Sequence, residues 1–381
     1  MGVELTEVRG KEMRLGVSWR VIALVLALAV LGFACTPDED EGDGNGDENG
    51  AAQQEQQSVF DAVVERGTLR CGVNETVPGF GFDPGTGEIE GFDIDFCRAI
   101  AAAVLGDPEA IELTPIDADN RFNALRADQY DVLVRNTTWT SSRDGAEGVA
   151  FAHPNFYDGQ AMMVRTGEFD SIADMDGANI CVTSGTTTEL NLADYFQANN
   201  LDFEAVTFPE NPQLQEAFIQ ERCDGWTSDR SQLAAIRSEF PQDAGGPEGV
   251  EILEEVMSKE PLAPAVLDGD QKWLDAVNWV VFGTILAEEL GVDSGNVDQQ
   301  ASDPENPQVA ALLGVPFGDE GEPVDSGLPL ENDFMQAVLS SVGNYGEIFD
   351  RHLGPDTPLE LERGINALWT EGGIQYAMPM R

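Results

Sequence analysis

Asn136, Thr137, Thr138, Trp139 and Thr140 follow the apolar run Val132–Val134 and lead to Arg143. A strand therefore hands the chain to a cluster of hydroxyls, an amide and a guanidinium. Polar groups at the C-terminal ends of strands lie where open α/β sheets bind ligands. A planar guanidinium there can grip a carboxylate through two parallel N–H bonds. A second cluster, Ser184-Gly185-Thr186-Thr187-Thr188, follows Ile180–Val182 and opens a helix. The free N–H groups and positive dipole end of a helix start suit an anion as well. Asp229, at the end of the segment Asp224–Asp229, offers the carboxylate that an ammonium group needs. Each cluster also has a plainer account. Arg143 suits a surface ion pair, Thr186 and Glu189 have capping-box spacing, and Asp229 suits a helix N-cap paired with Arg230.

These groups bind; they do not make an obvious catalyst. No nucleophile–base pair stands out, His153 and His352 look incidental, and no cysteines have CxxC spacing. Neither a metal nor a cofactor is expected. Glu189 is the one candidate general acid, and a helix-start role accounts for it without chemistry.

Holding such clusters takes alternating strands and helices. Residues 68–73 read as a strand, 91–106 as a helix, 111–116 as a strand, 121–129 as a helix and 130–136 as a strand. A second set begins at 178–185. It continues with helices at 186–200, 211–223 and 230–240 and strands at 204–208 and 224–229. Two such sets argue for parallel α/β sheets in two lobes. The tail reads as mostly helical over 272–291, 332–353 and 362–373, with a Pro- and Gly-rich loop across 293–330.

The chain has 381 residues, 42% hydrophobic, enough for two ordinary domains. Its 70 acidic residues face only 20 lysines and arginines, a formal net charge of −50. Nucleic acid and anionic membrane surfaces are therefore excluded as partners, since both need clustered cations. Only Lys11, Lys259 and Lys272 are lysines. Self-repulsion on this scale predicts adaptation to a saline exterior. Arg14 and Arg20 precede the apolar run Val21–Ala34, which ends at Cys35. The run is too short for a membrane span but fits a signal peptide, 1–35, with Cys35 placed for lipidation. Residues 36–57 are acidic and polar and read as a disordered tether. Cys71, Cys97, Cys181 and Cys223 then form an even set that suits an exported protein, and by themselves they permit three pairings.

Several long runs resemble the general L-amino-acid-binding proteins of ABC transporters, within the type II periplasmic binding protein superfamily. They include RGTLRCGVNETVPGF, GFDIDFCRAIAAAVLGD, RFNALRADQYDVLVRNTTWT, ICVTSGTTTELNLADYF, SKEPLAPAV and VGNYGEIFDRHLGP, and the likeness spans roughly residues 59–381. The resemblance implies an α/β, two-lobed type II fold with a hinge of crossing strands and a helical C-terminal extension. Lobe 1 is expected at 58–157 plus 264–381 and lobe 2 at 158–263, with hinge strands near 155–164 and 257–266. It implies that Arg143 holds a ligand α-carboxylate, assisted by Asn136, Thr138, Thr187 and Thr188. Asp229 would take the α-ammonium, and Phe122 would pack against the ligand. It also implies Cys71–Cys97 and Cys181–Cys223 disulfides. The partners implied are an L-amino acid and a membrane permease with its ATPase; a monomer is expected.

The sequence departs from that pattern at Trp226 and Arg230, which flank Asp229 and are expected to reshape the side-chain pocket. The very large acidic excess with only three lysines, and a lipid anchor in place of a plain secretory signal, are the other departures. The rival readings are an arogenate or cyclohexadienyl dehydratase-like enzyme using Glu189, and a ligand-sensing module fused to a membrane helix.

Overall fold

The computed structural model describes residues 57–318 and 321–381. The expected signal peptide, Cys35 and all but the last residue of the acidic tether lie outside the described residues. Helix α1 (Val59–Arg66) starts on Ser58, whose hydroxyl accepts from the Phe60 amide, and ends on Gly67 in the left-handed region. Strand β1 (Leu69–Val73), the small hairpin β2 (Thr76–Val77) and β3 (Gly81–Phe82), helix α2 (Phe92–Leu105) and β4 (Ile111–Pro115) follow. Helix α3 (Arg121–Arg126) leads to the short β5 (Val132–Leu133), then α4 (Ser141–Ala146) and β6 (Val149–Phe151). β1 pairs in parallel with β4 and with β5, as strand–helix–strand connections require.

The chain then crosses by β7 (Phe156–Asp158) into a second sheet, β8 (Gln160–Arg165) and β9 (Ala178–Thr183). Helix α5 (Thr187–Ala198), β10 (Phe203–Phe208), α6 (Asn211–Ile219), β11 (Gly225–Asp229), α7 (Arg230–Ser238) and β12 (Val250–Ile252) complete this lobe. β9 is parallel to both β10 and β11, and the strand order is β10-β9-β11-β8-β12. The return is by β13 (Glu260–Leu262), antiparallel to β7, and β14 (Ala265–Leu267). β14 enters the first sheet between β5 and β6, giving the order β4-β1-β5-β14-β6.

Helix α8 (Gln271–Glu289), α9 (Val297–Ser302), α10 (Pro307–Leu312), α11 (Phe334–Ser341) and α12 (Tyr345–His352) pack on the first lobe. Phe92 meets Phe80, Phe96, Phe156, Tyr345 and Phe349 edge-on, so the tail shares one aromatic core with α2 and the crossing strand. Edge-to-face pairs of this kind add about 0.5–1.5 kcal/mol each beyond area burial. Cys71–Cys97 ties β1 to α2, and Cys181–Cys223 ties β9 to the turn before β11. Each bridge is worth about 2–4 kcal/mol.

The tail departs from its sequence reading in three places. The stretch expected as loop over 293–330 contains α9 and α10, because Asn306 caps α10 and Pro307 starts it. The helical stretch over 332–353 is two helices: Gly343 takes φ +98° between them, and Asn344 and Glu347 form a reciprocal capping box for α12. Residues 362–373 form only two 3₁₀ turns, at 364–366 and 369–371, each bounded by a positive-φ glycine.

Candidate functional site

Each parallel strand ends on one shared cleft. Asn74 follows β1, Ala118 follows β4, and Arg135, Asn136 and Thr138 follow β5. From the other lobe come Thr183 at the end of β9 and Thr186–Thr188 after it, Glu210 and Asn211 after β10, and Asp229 at the end of β11. The lining residues close in on a small cavity of about 30 Å³.

Arg143 sits on α4, whose N-cap Thr140 accepts from the Arg143 amide, and its side chain is buried. Its Nη1 donates to the Thr138 carbonyl at 2.8 Å. Among the described residues it has no carboxylate within ion-pair distance. Burial lowers its guanidinium to about 10, still cationic at neutral pH. With Glu260 and Asp229 acting on it only from beyond ion-pair distance, the buried cation favours a bound anion. The plainer reading of Arg143 as a surface ion pair is thereby overturned.

Asp229 is the counterpart. It is buried, its Oδ1 has no hydrogen-bond partner, and its side chain makes no capping bond to α7. Burial, with Asp158 and Glu260 nearby, raises its carboxyl well above the usual range. Arg230 is not its partner: that guanidinium donates to the Leu253 and Glu254 carbonyls at 2.8 and 3.0 Å. Nor does Trp226 reshape the cleft, because alternation along β11 turns it to the other face, into a core with Phe218. Neither residue lines the cleft.

The start of α5 behaves as a capped helix and a cleft wall at once. Thr186 Oγ1 accepts from the Glu189 amide at 3.1 Å. The Glu189 carboxylate accepts from the Gly185 amide at 2.9 Å, one residue short of the reciprocal capping bond. Glu189 is thus engaged at the helix start, outside the cleft lining. Thr187 and Thr188 both line the cleft.

Three features escaped the sequence reading. Glu260, on β13, is 1% exposed and gathers both lobes. Its Oε2 accepts from Thr138 Oγ1 at 2.6 Å and from Thr187 Oγ1 at 2.7 Å, while its Oε1 accepts from Asn191 Nδ2 at 2.7 Å. Asp158 stands opposite it on β7 and accepts from the Ser231 amide and hydroxyl at the start of α7. Burial pushes Asp158 up to about 6. A file of amides also crosses the cleft: Asn74 donates to Asn136, Asn136 to Gln232, and Gln232 to Asn211, at 3.2, 3.2 and 3.0 Å. Third, Arg121 lines the cleft where Phe122 was expected; Phe122 is off the lining, with the Arg121 and Arg143 guanidiniums over its ring at 5.2 and 5.4 Å. At the rim, Ser184 Oγ donates across the lobes to Asp119 at 2.8 Å. His153 and His352 lie outside the cleft lining, against Phe282 and Asp95.

Two sheets joined by a pair of crossing strands, with a polar cleft at their strand ends, define a two-lobed binding protein of the type II periplasmic class. The chain belongs to the bacterial extracellular solute-binding proteins, family 3, whose pattern matches residues 69–290. It is 46% identical over 320 residues to a general L-amino acid-binding periplasmic protein of Rhizobium johnstonii, covering 84% of this chain and 92% of that one. It is 42% identical over 325 residues to a glutamate/glutamine/aspartate/asparagine-binding protein of Rhodobacter capsulatus, covering 85% and 94%. A periplasmic binding protein of an ABC transporter from Brucella ovis, solved with glutathione bound, superposes with a TM-score of 0.80. It is 40% identical and covers 86% of this chain and 100% of its own.

Proposed function

We propose that the protein is the extracytoplasmic substrate-binding component of an amino-acid ABC transporter. It captures an L-amino acid between its lobes and delivers it to a membrane permease driven by an ATPase. One observation carries this reading: the cleft holds a buried guanidinium and a buried carboxylate, Arg143 and Asp229, each lacking an ionic partner among the described residues. A zwitterion supplies both at once. Arg143 takes the α-carboxylate with Asn136, Thr138, Thr187 and Thr188, and Asp229 takes the α-ammonium. The names of the relatives in Rhizobium and Rhodobacter support the ligand class.

Lobe 1 comprises 58–157 and 264–381, and lobe 2 comprises 158–263; they close about β7 and β13. A signal peptide exports the chain, and lipid attached at Cys35 holds it at the outer face of the membrane as a monomer. No helix among the described residues is long and apolar enough to cross a membrane. No catalytic step is assigned: Glu189 accepts from the Gly185 amide at the start of α5 and does not line the cleft. A more distant likeness, 26% identical with a TM-score of 0.52, is to an ancestral amino-acid-binding protein described as a precursor of cyclohexadienyl dehydratase.

The test is calorimetric titration of the mature chain with L-amino acids, beside Arg143→Ala. The expected result is saturable binding that falls by at least about 100-fold in the variant. Equal affinity in wild type and variant would remove Arg143 from the ligand. Absence of binding across the panel would overturn the receptor reading, and turnover of arogenate would replace it with the enzyme.

A further inference from the structure

The cleft wall is polar almost all the way round. Among the described residues that line it, Ala118 alone has a side chain without a polar atom. The wall beyond Arg143 and Asp229 is made by Asn74, Asn136, Asn211 and Gln232, and by Arg121. Of the three arginines, Arg135 already has its anion, Glu210, at 3.2 Å. Arg143 is the partner of the α-carboxylate.

Arg121 is left over. It is 3% exposed, yet its Nη2 makes a single hydrogen bond, 3.2 Å to the Gly185 carbonyl, and its buried Nε has no partner. Among the described residues no carboxylate comes within ion-pair distance of it: Arg143 and Arg135 repel it, and Asp229 attracts it only from beyond that distance. A guanidinium carries five donors and keeps its charge, so burying one with a single acceptor is costly unless a ligand completes it. Beside it lies the start of α5, a helix of twelve residues whose first amides add positive potential.

We infer that Arg121 is a second anion subsite, and that the natural ligand is an α-amino acid whose side chain ends in a carboxylate. This rests on the receptor reading above. The α-carboxylate goes to Arg143, the ammonium to Asp229, and the side-chain carboxylate to Arg121 with the amide file around it. An aliphatic side chain in the same place leaves Arg121 unpaired. That is the situation in which polar sites discriminate most strongly. A cationic side chain meets a guanidinium.

The experiment is a calorimetric panel of L-glutamate, L-aspartate, L-glutamine, L-leucine and L-lysine against wild type and Arg121→Met, which keeps the buried stem of the side chain. Wild type is expected to bind glutamate or aspartate at least about 100-fold more tightly than leucine or lysine, with glutamine between. Arg121→Met is expected to lose about 10- to 100-fold for the dicarboxylates while leucine changes little. Leucine binding as tightly as glutamate in wild type would overturn this inference and leave the receptor reading intact. An equal loss for every ligand in the variant would place Arg121 on the α-carboxylate and also overturn it. If no amino acid binds wild type, both readings fall. The wild-type panel decides the matter even if the variant does not fold.

Discussion

At the residue scale the cleft stores two opposite charges that have been taken out of water, and binding is the event that repays their burial. Asp229 illustrates the coupling. Burial and the neighbouring Asp158 and Glu260 raise its carboxyl, so the free protein holds a proton more readily there than an exposed aspartate does. A bound ammonium favours the charged form. The complex therefore binds fewer protons than the free protein, and affinity is expected to fall as pH is lowered. In mildly acidic buffer, the observed heat of binding should differ between phosphate and imidazole, whose ionisation heats differ, reporting proton release. Equal heats in the two buffers would show that no proton leaves. Arg143, Asp229 and the threonines were legible because each lies at or shortly after the end of a strand. Arg121 was not, since a basic residue opening a short polar helix looks like any surface arginine until the fold buries it.

At the scale of elements, β7 and β13 are more than a flexible joint. Each carries a buried carboxylate to the start of a helix in the second lobe, Asp158 to α7 and Glu260 to α5. Glu260 also holds Thr138 of the first lobe, so one carboxylate oxygen is shared by both sides of the cleft. Asn191 reaches the same carboxylate from α5 without lining the cleft. Asn191→Ala is therefore expected to weaken every ligand by a common factor of about 3- to 10-fold, mainly through faster dissociation, with the rank order preserved. Stopped-flow release measured for two unlike ligands checks this, and a change in rank order would contradict it. None of this was legible in the sequence: the partners through which Glu260 joins the lobes, Thr138, Thr187 and Asn191, lie 122, 73 and 69 residues away along the chain. The strands and helices themselves were legible because their ends carry local signals, such as Ser58, Thr140 and Thr186 at helix starts. The tail misled where amphipathic spacing continued across Gly343 and around Gly364 and Gly372, whose positive φ values stop a helix that hydrophobicity alone would extend.

At the scale of the whole molecule, charge dominates. A formal net charge of −50 cannot be neutralised by the ion pairs the chain forms, and it opposes compactness. The melting temperature is expected to rise between low salt and about 1 M salt as screening shortens the reach of the repulsion. A calorimetric scan at both salt concentrations checks this, and an unchanged midpoint would show that the charges are already well dispersed. The two-lobed organisation was legible from the repeated strand–helix rhythm, whereas how closely the lobes meet is a property of their packed surfaces.

That meeting surface sets a mechanical tolerance. Next to the Ser184–Asp119 hydrogen bond, Gly185 takes φ +68°, and a Cβ built there would stand 2.1 Å from Asp119 Oδ1 and 3.1 Å from its Cα. The mouth thus shuts with less clearance than one methyl group. Alanine at this position is a doorstop: Gly185→Ala would sample its ligand yet stay ajar, with no shut face to show a transporter. Solution scattering at saturating ligand should then report a larger radius of gyration than wild type. Superimposable curves would mean that Asp119 swings aside and the door closes regardless.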